Sequence, residues 1–292
     1  MLFHCAMFVK NTYIFLLFFF LLAQGLCAAP AGLGESLLLE GKVALQRGES
    51  WVLGQQGPDG SWQNDPVLTA QAAILLANSD SQQYSESLRL AMLWMQKTLR
   101  AITQPGDFAQ ALRLPLRLQN PDLPAMVKVF RQKKDSWELA LESLLTQQWL
   151  LEAHFLLPPE LPLLSLQEVE LLQRNFLREK DSFPAFALLT MLGGAEQQEQ
   201  EAALRHLSSA CRKQTAAAEA EDLFWIVRAL RMAERFLPRL DKTWRAEIAA
   251  SILEKQDGQG AFAKNAEQRQ TADLKNTVFY LQIIQLCLTE TE

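Results

Sequence analysis

The sequence predicts an all-α chain: helical pairs closing into a ring of about six outer and six inner helices, behind a signal peptide. Three observations predict it. Apolar residues recur at helical spacing over 84–103, 137–156, 196–214, 222–237 and 271–288, and strand-like alternation with hairpin turns is absent. Two distant segments, Gln56-Gly-Pro-Asp-Gly60-Ser-Trp62 and Gln256-Asp-Gly-Gln-Gly260-Ala-Phe262, share the spacing Gln-x-x-x-Gly-x-aromatic. Aromatics at 62, 108, 137, 183, 224 and 262 recur about every 40 residues, which is room for two helices and their loops. Such pairs bury little alone and need neighbours, and a closed ring leaves no end to cap.

The first element is an export signal. Tyr13 to Ala23 reads YIFLLFFFLLA behind Lys10, with small residues after it. The run is shorter than the roughly 20 apolar residues of a membrane span. Cleavage after Ala28 divides the chain into a signal, 1–28, and one domain, 29–292. Met7 as the start would shorten the charged region to a more usual length. The alternative to secretion into a periplasm or the exterior is a lipoprotein anchored at Cys27, where Leu26 stands in a position that favours a small residue.

Next come the repeat motifs. Glycine permits the tight turn between an outgoing and an incoming helix. The aromatic buries a large ring between adjacent pairs, and the glutamine amide can tie the loop to a neighbouring helix end. Gln56, Gly60, Trp62, Gln256, Gly260 and Phe262 therefore read as structural. Each motif is followed by a polar loop and then Thr-Ala opening an apolar helix, Thr69-Ala70 and Thr271-Ala272. Weaker copies, Asp135-Ser-Trp137, Asp181-Ser-Phe183, Asp222-Leu-Phe224 and Gly106-Asp-Phe108, place an acid before an aromatic at the start of a helix, where the acid can cap free N–H groups.

Composition narrows the function. The 28 basic and 33 acidic residues of the 292-residue chain give a net charge of −5, which argues against a nucleic-acid binder, since these usually show a basic face. Losing the signal removes Lys10 and no acid. The domain keeps Cys211 and Cys287, which either pair in an oxidising compartment or sit as small buried hydrophobes in helices. His154 and His206 are far from both in sequence, and no Cys-x-x-Cys, His-Glu-x-x-His or calcium-loop pattern occurs. No metal or cofactor is expected.

At Gln56-x-x-x-Gly60-x-Trp62 and Gln256-x-x-x-Gly260-x-Phe262 the chain resembles the squalene cyclase and protein prenyltransferase repeat superfamily, whose glutamine–tryptophan repeat the motif is similar to. The resemblance covers about residues 44–79 and 245–288 and is faint between. It implies an α/α toroid, an inner ring of helices inside an outer one around a central cavity. It implies no particular activity, because the fold also serves complement-type thioester domains.

Each chemistry of the superfamily makes its own demand. Squalene cyclases resemble one another in an Asp-x-Asp-Asp acid. The nearest segment here is Glu219-Ala-Glu221-Asp222, with Glu221 as the acid and Asp222 its neighbour. The plainer reading is an acidic first turn at a helix N-terminus. Asp273-Leu-Lys-Asn276-Thr277 resembles the last zinc segment of prenyltransferases, with Asn276 in place of the histidine and no Asp-x-Cys pair elsewhere. A thioester domain's Cys-Gly-Glu-Gln is absent.

A glycan-cleaving α/α barrel would need two flanking carboxylates. Glu138, Glu142, Glu221, Asp222 and Asp273 are the inner-helix candidates, and Trp137, Trp149, Trp225 and Tyr280 the candidate stacking surfaces. The same rings serve equally as core.

The sequence thus leads to an exported toroid that binds without catalysis, its cavity lined by candidates Trp137, Glu142, Trp149, Trp225, Asp273, Asn276 and Tyr280. The occupant is a small molecule, a lipid or a protein, and peripheral contact with a membrane is a further expectation. The alternatives are a terpenoid-cyclase-like enzyme using Glu221 and a glycan-processing barrel. Protein recovered from the export compartment is expected to begin near Ala29, and an intact 1–28 segment in its mass spectrum would refute the signal.

Overall fold

The structure, a computed structural model, describes residues 33–79, 82–139, 142–178, 219–236, 242–262 and 273–289. Ten α-helices lie among them: α1 (Glu35–Gly54), α2 (Pro66–Ala77), α3 (Ser85–Thr98), α4 (Pro105–Arg117), α5 (Leu123–Lys134), α6 (Leu144–Leu156), α7 (Leu166–Arg178), α8 (Ala220–Phe236), α9 (Trp244–Leu253) and α10 (Leu274–Leu288). Extended pairing among the described residues is confined to one bridge between Gln256 and Phe262. The even-numbered helices pack side by side, α10 on α2, α2 on α4, α4 on α6 and α8 on α10. The odd-numbered helices lie outside them, α3 on α2, α5 on α4, α7 on α6, and both α9 and α1 on α10. This is an α/α toroid. Residues 68–76 of α2 are buried without a break, as a helix walled in on every side must be.

Helix limits follow local chemistry. The segment expected as one helix over 84–103 is α3, a 3-10 turn over Leu99–Ala101, and then Pro105 opening α4. The helix expected over 137–156 starts only at Leu144, because the Ser143 hydroxyl accepts the Thr146 amide at 3.2 Å and caps it there. Trp137, Glu138 and Glu142 therefore sit in the loop between α5 and α6 and do not lie on an inner helix. Phe108 and Phe224, expected as repeat aromatics that start helices, lie inside α4 and α8. Asp181-Ser-Phe183, the 196–214 helix, the export segment, Cys27, His206 and Cys211 fall outside the described residues. Cys287 is a free, buried thiol, pushed up to about 12 by burial.

The two motif loops have one construction. In each, a four-residue turn ends on a glycine with positive φ, 93° at Gly60 and 97° at Gly260. A Cβ there would fall 2.5 Å from the carbonyl carbon of Leu90 in the first loop and 2.6 Å from that of Arg47 in the second. The glutamine amide closes the turn by donating to the glycine carbonyl, Gln56 at 2.9 Å and Gln256 at 3.0 Å. The same nitrogen reaches the next outer helix, donating to Ser87 O in α3 at 3.0 Å and to Ala44 O in α1 at 2.9 Å. Trp62 and Phe262 are fully buried. The Trp62 indole donates to Val52 O at 2.7 Å, so the one polar atom of that ring is paired.

The inner helix that follows is aligned by a threonine. The amide of Trp62 donates to Thr69 Oγ1 at 3.0 Å, and that of Phe262 to Thr277 Oγ1 at 2.9 Å. Asp65 and Asp273, four residues before each threonine, cap α2 and α10. The partner of Thr69 is thus Thr277, and the expected match with Thr271 is displaced by a longer second loop.

The second motif also closes the ring. Gln256 and Gly260 stand on α1, the first outer helix, and α1 lies against α10. The approach is close enough that a Cβ on Gly48 would meet Leu281 Cδ2 at 2.3 Å. Gly260→Ala forces both a strained φ and a backbone clash, and is expected to cost at least about 2 kcal/mol. Gly258→Ala, with open space at its Cβ, should cost less than about 1 kcal/mol. Equal midpoints for the two variants in urea would refute this account of closure.

Candidate functional site

The described inner helices gather their N-termini at one end. At one end Asp107 in the first turn of α4 feels burial first, then Asp65 at the start of α2, and Lys275 and Glu221 from α10 and α8. Burial and the two acids outweigh the lysine and push its carboxyl above the ordinary range. At the other end Arg117 of α4 donates to Asn78 at the close of α2 at 2.8 Å, and Gln285 of α10 donates to Leu75 O at 3.0 Å. The ring therefore has a mouth of helix N-termini and a mouth of helix C-termini. The first is acidic and the second basic, as the helix dipoles favour.

The acidic mouth holds the candidate catalytic residues. Glu221 accepts from the Trp149 indole at 3.2 Å and pairs with Lys275 Nζ at 2.8 Å. Glu219 is exposed just before α8, and Asp222 is exposed in its first turn. Asp273 is the N-cap of α10, accepting the Asn276 amide at 3.1 Å, while the Asn276 side chain turns back to the same carboxylate at 3.4 Å. The Asp–Asn pair that resembles half a zinc site is thus a helix cap. Among the described residues no group of three or more His, Cys, Asp or Glu could hold a metal. His154 accepts the Leu164 amide at 3.1 Å.

The aromatic candidates divide. Trp137 packs on Phe108 and Phe130 in the loop and donates to Thr103 O at 2.7 Å. Tyr280 packs on Phe262 at 5.2 Å, towards the motif. The Glu142 carbonyl accepts from Gln147 at 2.7 Å, and its amide donates to Leu139 O at 3.4 Å. Trp149 and Trp225 do face the ring interior, 4.5 Å apart, with Phe224 beside them.

Between the mouths one polar chain threads all five described inner helices. Gln282 of α10 donates to Gln71 O of α2 at 2.9 Å, and Gln71 donates to Gln110 of α4 at 3.1 Å. Arg113, one turn further along α4, donates to Gln71 Oε1 at 3.3 Å and stands 3.5 Å from Glu152 of α6. Arg228 of α8 pairs with the same oxygen of Glu152. The guanidinium of Arg113 lies over Trp149 at 4.8 Å, and that of Arg228 over Trp225 at 5.1 Å and Phe224 at 5.4 Å. Glu152 is 1% exposed, so two cations share one buried carboxylate. Burial pulls Arg113 down to about 10, with Arg228 adding to the shift and Glu152 opposing it. In such clusters, removing a lone counter-ion costs about 3–5 kcal/mol.

The chain opens at the basic mouth into a cavity of about 1020 Å³. Its wall carries Arg113, Arg117, Arg228, Lys42, Gln282 and Glu49, with apolar surface from Ile74, Phe224 and Leu286. None of these was among the sequence candidates. Glu49 is buried, and accepts from Tyr84 at 3.1 Å and Gln285 at 3.3 Å.

Burial holds the Glu49 carboxyl above its ordinary range, against the hydrogen bonds of Tyr84 and Gln285. The folded state therefore keeps a proton that the unfolded chain releases at lower pH. Stability from this group is full below the unfolded value and is lost as pH rises through the folded one. Glu49→Gln is expected to raise Tm at pH 7 and to leave it unchanged at about pH 3.5. An unchanged Tm at pH 7 would show that the carboxylate carries no burial penalty.

No family model matches the chain, and no curated protein sequence does. Among solved structures it is similar to the type II terpene cyclase MstE from Scytonema, determined in complex with its product merosterolic acid A. The two share 14% identity, and the match covers 88% of this chain and 98% of the other with a TM-score of 0.56. The chain has the α/α-toroid fold of the terpenoid cyclases.

Proposed function

We propose that this chain is an exported, non-catalytic toroid that binds a small molecule in the cavity at the basic mouth of its inner ring. The observation that carries the reading is the cavity itself. It is at the upper end of the volumes typical of ligand sites, it mixes apolar and polar wall, and its charged groups are held in place by stacking and pairing. Export rests on the apolar run at 13–23 behind Lys10.

The similar structure is that of a terpene cyclase, and cyclisation is the natural competing reading. Protonating an alkene asks for a positioned acid in a dry apolar pocket. Here Glu221 receives an ammonium and an indole N–H, and amides and guanidinium groups stand in the ring interior beside its aromatic rings. A glycan-cleaving barrel asks for two facing carboxylates. Glu138 and Glu142 stand in a loop and Asp273 caps a helix.

Purified protein is expected to carry or take up a small ligand, read by native mass spectrometry. It is expected to form no product from labelled squalene, or from a prenyl diphosphate with zinc and a thiol peptide. Product that disappears in Glu221→Gln would overturn the binding reading in favour of the cyclase.

A further inference from the structure

We propose that the cavity at the basic mouth is a site for a small polar organic dianion, a phosphate monoester or a dicarboxylate, seated on the guanidinium groups of Arg113 and Arg228. The inference rests on the binding reading above and names its ligand class.

Charge is the first argument. Among the described residues four cations face the cavity, Lys42, Arg113, Arg117 and Arg228. Against them stand two carboxylates, Glu49 in the wall and Glu152 between the two inner arginines. Among the described residues two positive charges are left over. The inner pair cannot shed this excess into water, since the Arg113 and Arg228 side chains are 11% and 18% exposed. Buried charge without a full complement of counter-ions is costly, and an anion entering the cavity supplies the missing one.

Geometry is the second. Arg113 Nε is buried and makes no hydrogen bond among the described residues, and the same is true of Gln282 Oε1. Arg113 and Gln282 both line the cavity, and these two unpaired atoms lie shielded from solvent within them. The guanidinium planes are fixed against Trp149, Phe224 and Trp225, so little order has to be imposed when an anion docks. Planar guanidinium forks match carboxylate and phosphate oxygens alike.

Size and polarity give the rest. A cavity of about 1020 Å³ is far larger than a bare inorganic anion requires. Gln46, Asn78 and Gln285 join Gln282 in the wall, which suits hydroxyl groups better than a hydrocarbon tail. Arg117 and Lys42 are exposed at the rim, where they draw an anion in from solution.

The test is calorimetric titration of the mature chain with glucose 6-phosphate and malate, each beside a neutral counterpart, glucose and glycerol. The dianions are expected to bind one per chain and more weakly as salt rises, at least about tenfold tighter than the neutral compounds, a difference of about 1.4 kcal/mol. Binding by one dianion alone assigns the phosphate or the carboxylate source. Two variants that leave the Arg113–Glu152–Arg228 cluster intact report on charge. Arg117→Gln is expected to weaken the dianions severalfold. Glu49→Gln is expected to tighten them, a gain that damage to the fold would not produce. Neutral compounds binding as tightly as the dianions, or dianion affinity unmoved in both variants, would overturn this inference and leave the binding function standing. Heat from none of the four compounds would also overturn it, and a small ligand in the native mass spectrum would then preserve the binding function alone.

Discussion

The structure depends on the contact between its first helix and its last repeat. A ring of helical pairs is stable only if both faces of every pair are covered, and α1 is the first of the described helices. Its cover comes from α9 and α10. Glycines make the approach possible: Gly41 and Gly48 of α1 present bare backbone to Leu288 and Leu281 of α10. Gln256 then ties the incoming loop to Ala44. The same device joins the α1–α2 loop to α3 through Gln56 and Ser87, where a hydrogen bond from the serine hydroxyl at 2.5 Å fixes the orientation of the amide. Closure is therefore the repeat's own inter-pair contact, used once more between the ends.

Closing the ring creates an interior that ordinary helices do not have. Inner helices cannot send a polar stripe to water, so their polar residues meet on the axis. Gln71, Gln110, Arg113, Glu152, Arg228 and Gln282 meet there and satisfy most of one another. A second cluster binds the outside of the ring in the same manner: Arg245 of α9 grips Glu234 of α8 and donates to Thr289 O after α10 at 3.1 Å. Both clusters are buried ion pairs held by more than one helix, an arrangement that fixes how the helices are oriented.

The ring and its turns were legible in the sequence because they depend on local chemistry. A glycine needed for positive φ, a glutamine four residues before it and a buried aromatic after it leave a spaced signature in the chain. The register of the second repeat was not legible. Thr271-Ala272 imitates Thr69-Ala70 in sequence, while the hydrogen bond to the motif aromatic is made by Thr277, beyond a longer loop. Doubling a loop costs only about 0.6 kcal/mol, so a longer second loop was tolerated and spacing misled there. The cavity residues were missed for a different reason. Arg113 and Arg228 look like the water-facing charges of amphipathic helices, and only the ring turns that face inward. The available signal was the recurrence of Gln, Arg or Glu on helices otherwise apolar all round, Gln71 in α2 and Gln282 in α10 being the plainest.

The hydrogen bond from Gln256 to Ala44 spans 212 positions of sequence. The bonds from Gln282 to Gln71 and from Gln285 to Glu49 span 211 and 236, and such contacts govern folding speed because the loop they close must be ordered first. During synthesis α1 is made early and waits, its glycine face uncovered, until α9 and α10 have been translated. The apolar surface of α1 is exposed for that whole interval, when chains of this kind aggregate most readily. A toroid sealed between its first and last described helices thus completes its core late in folding.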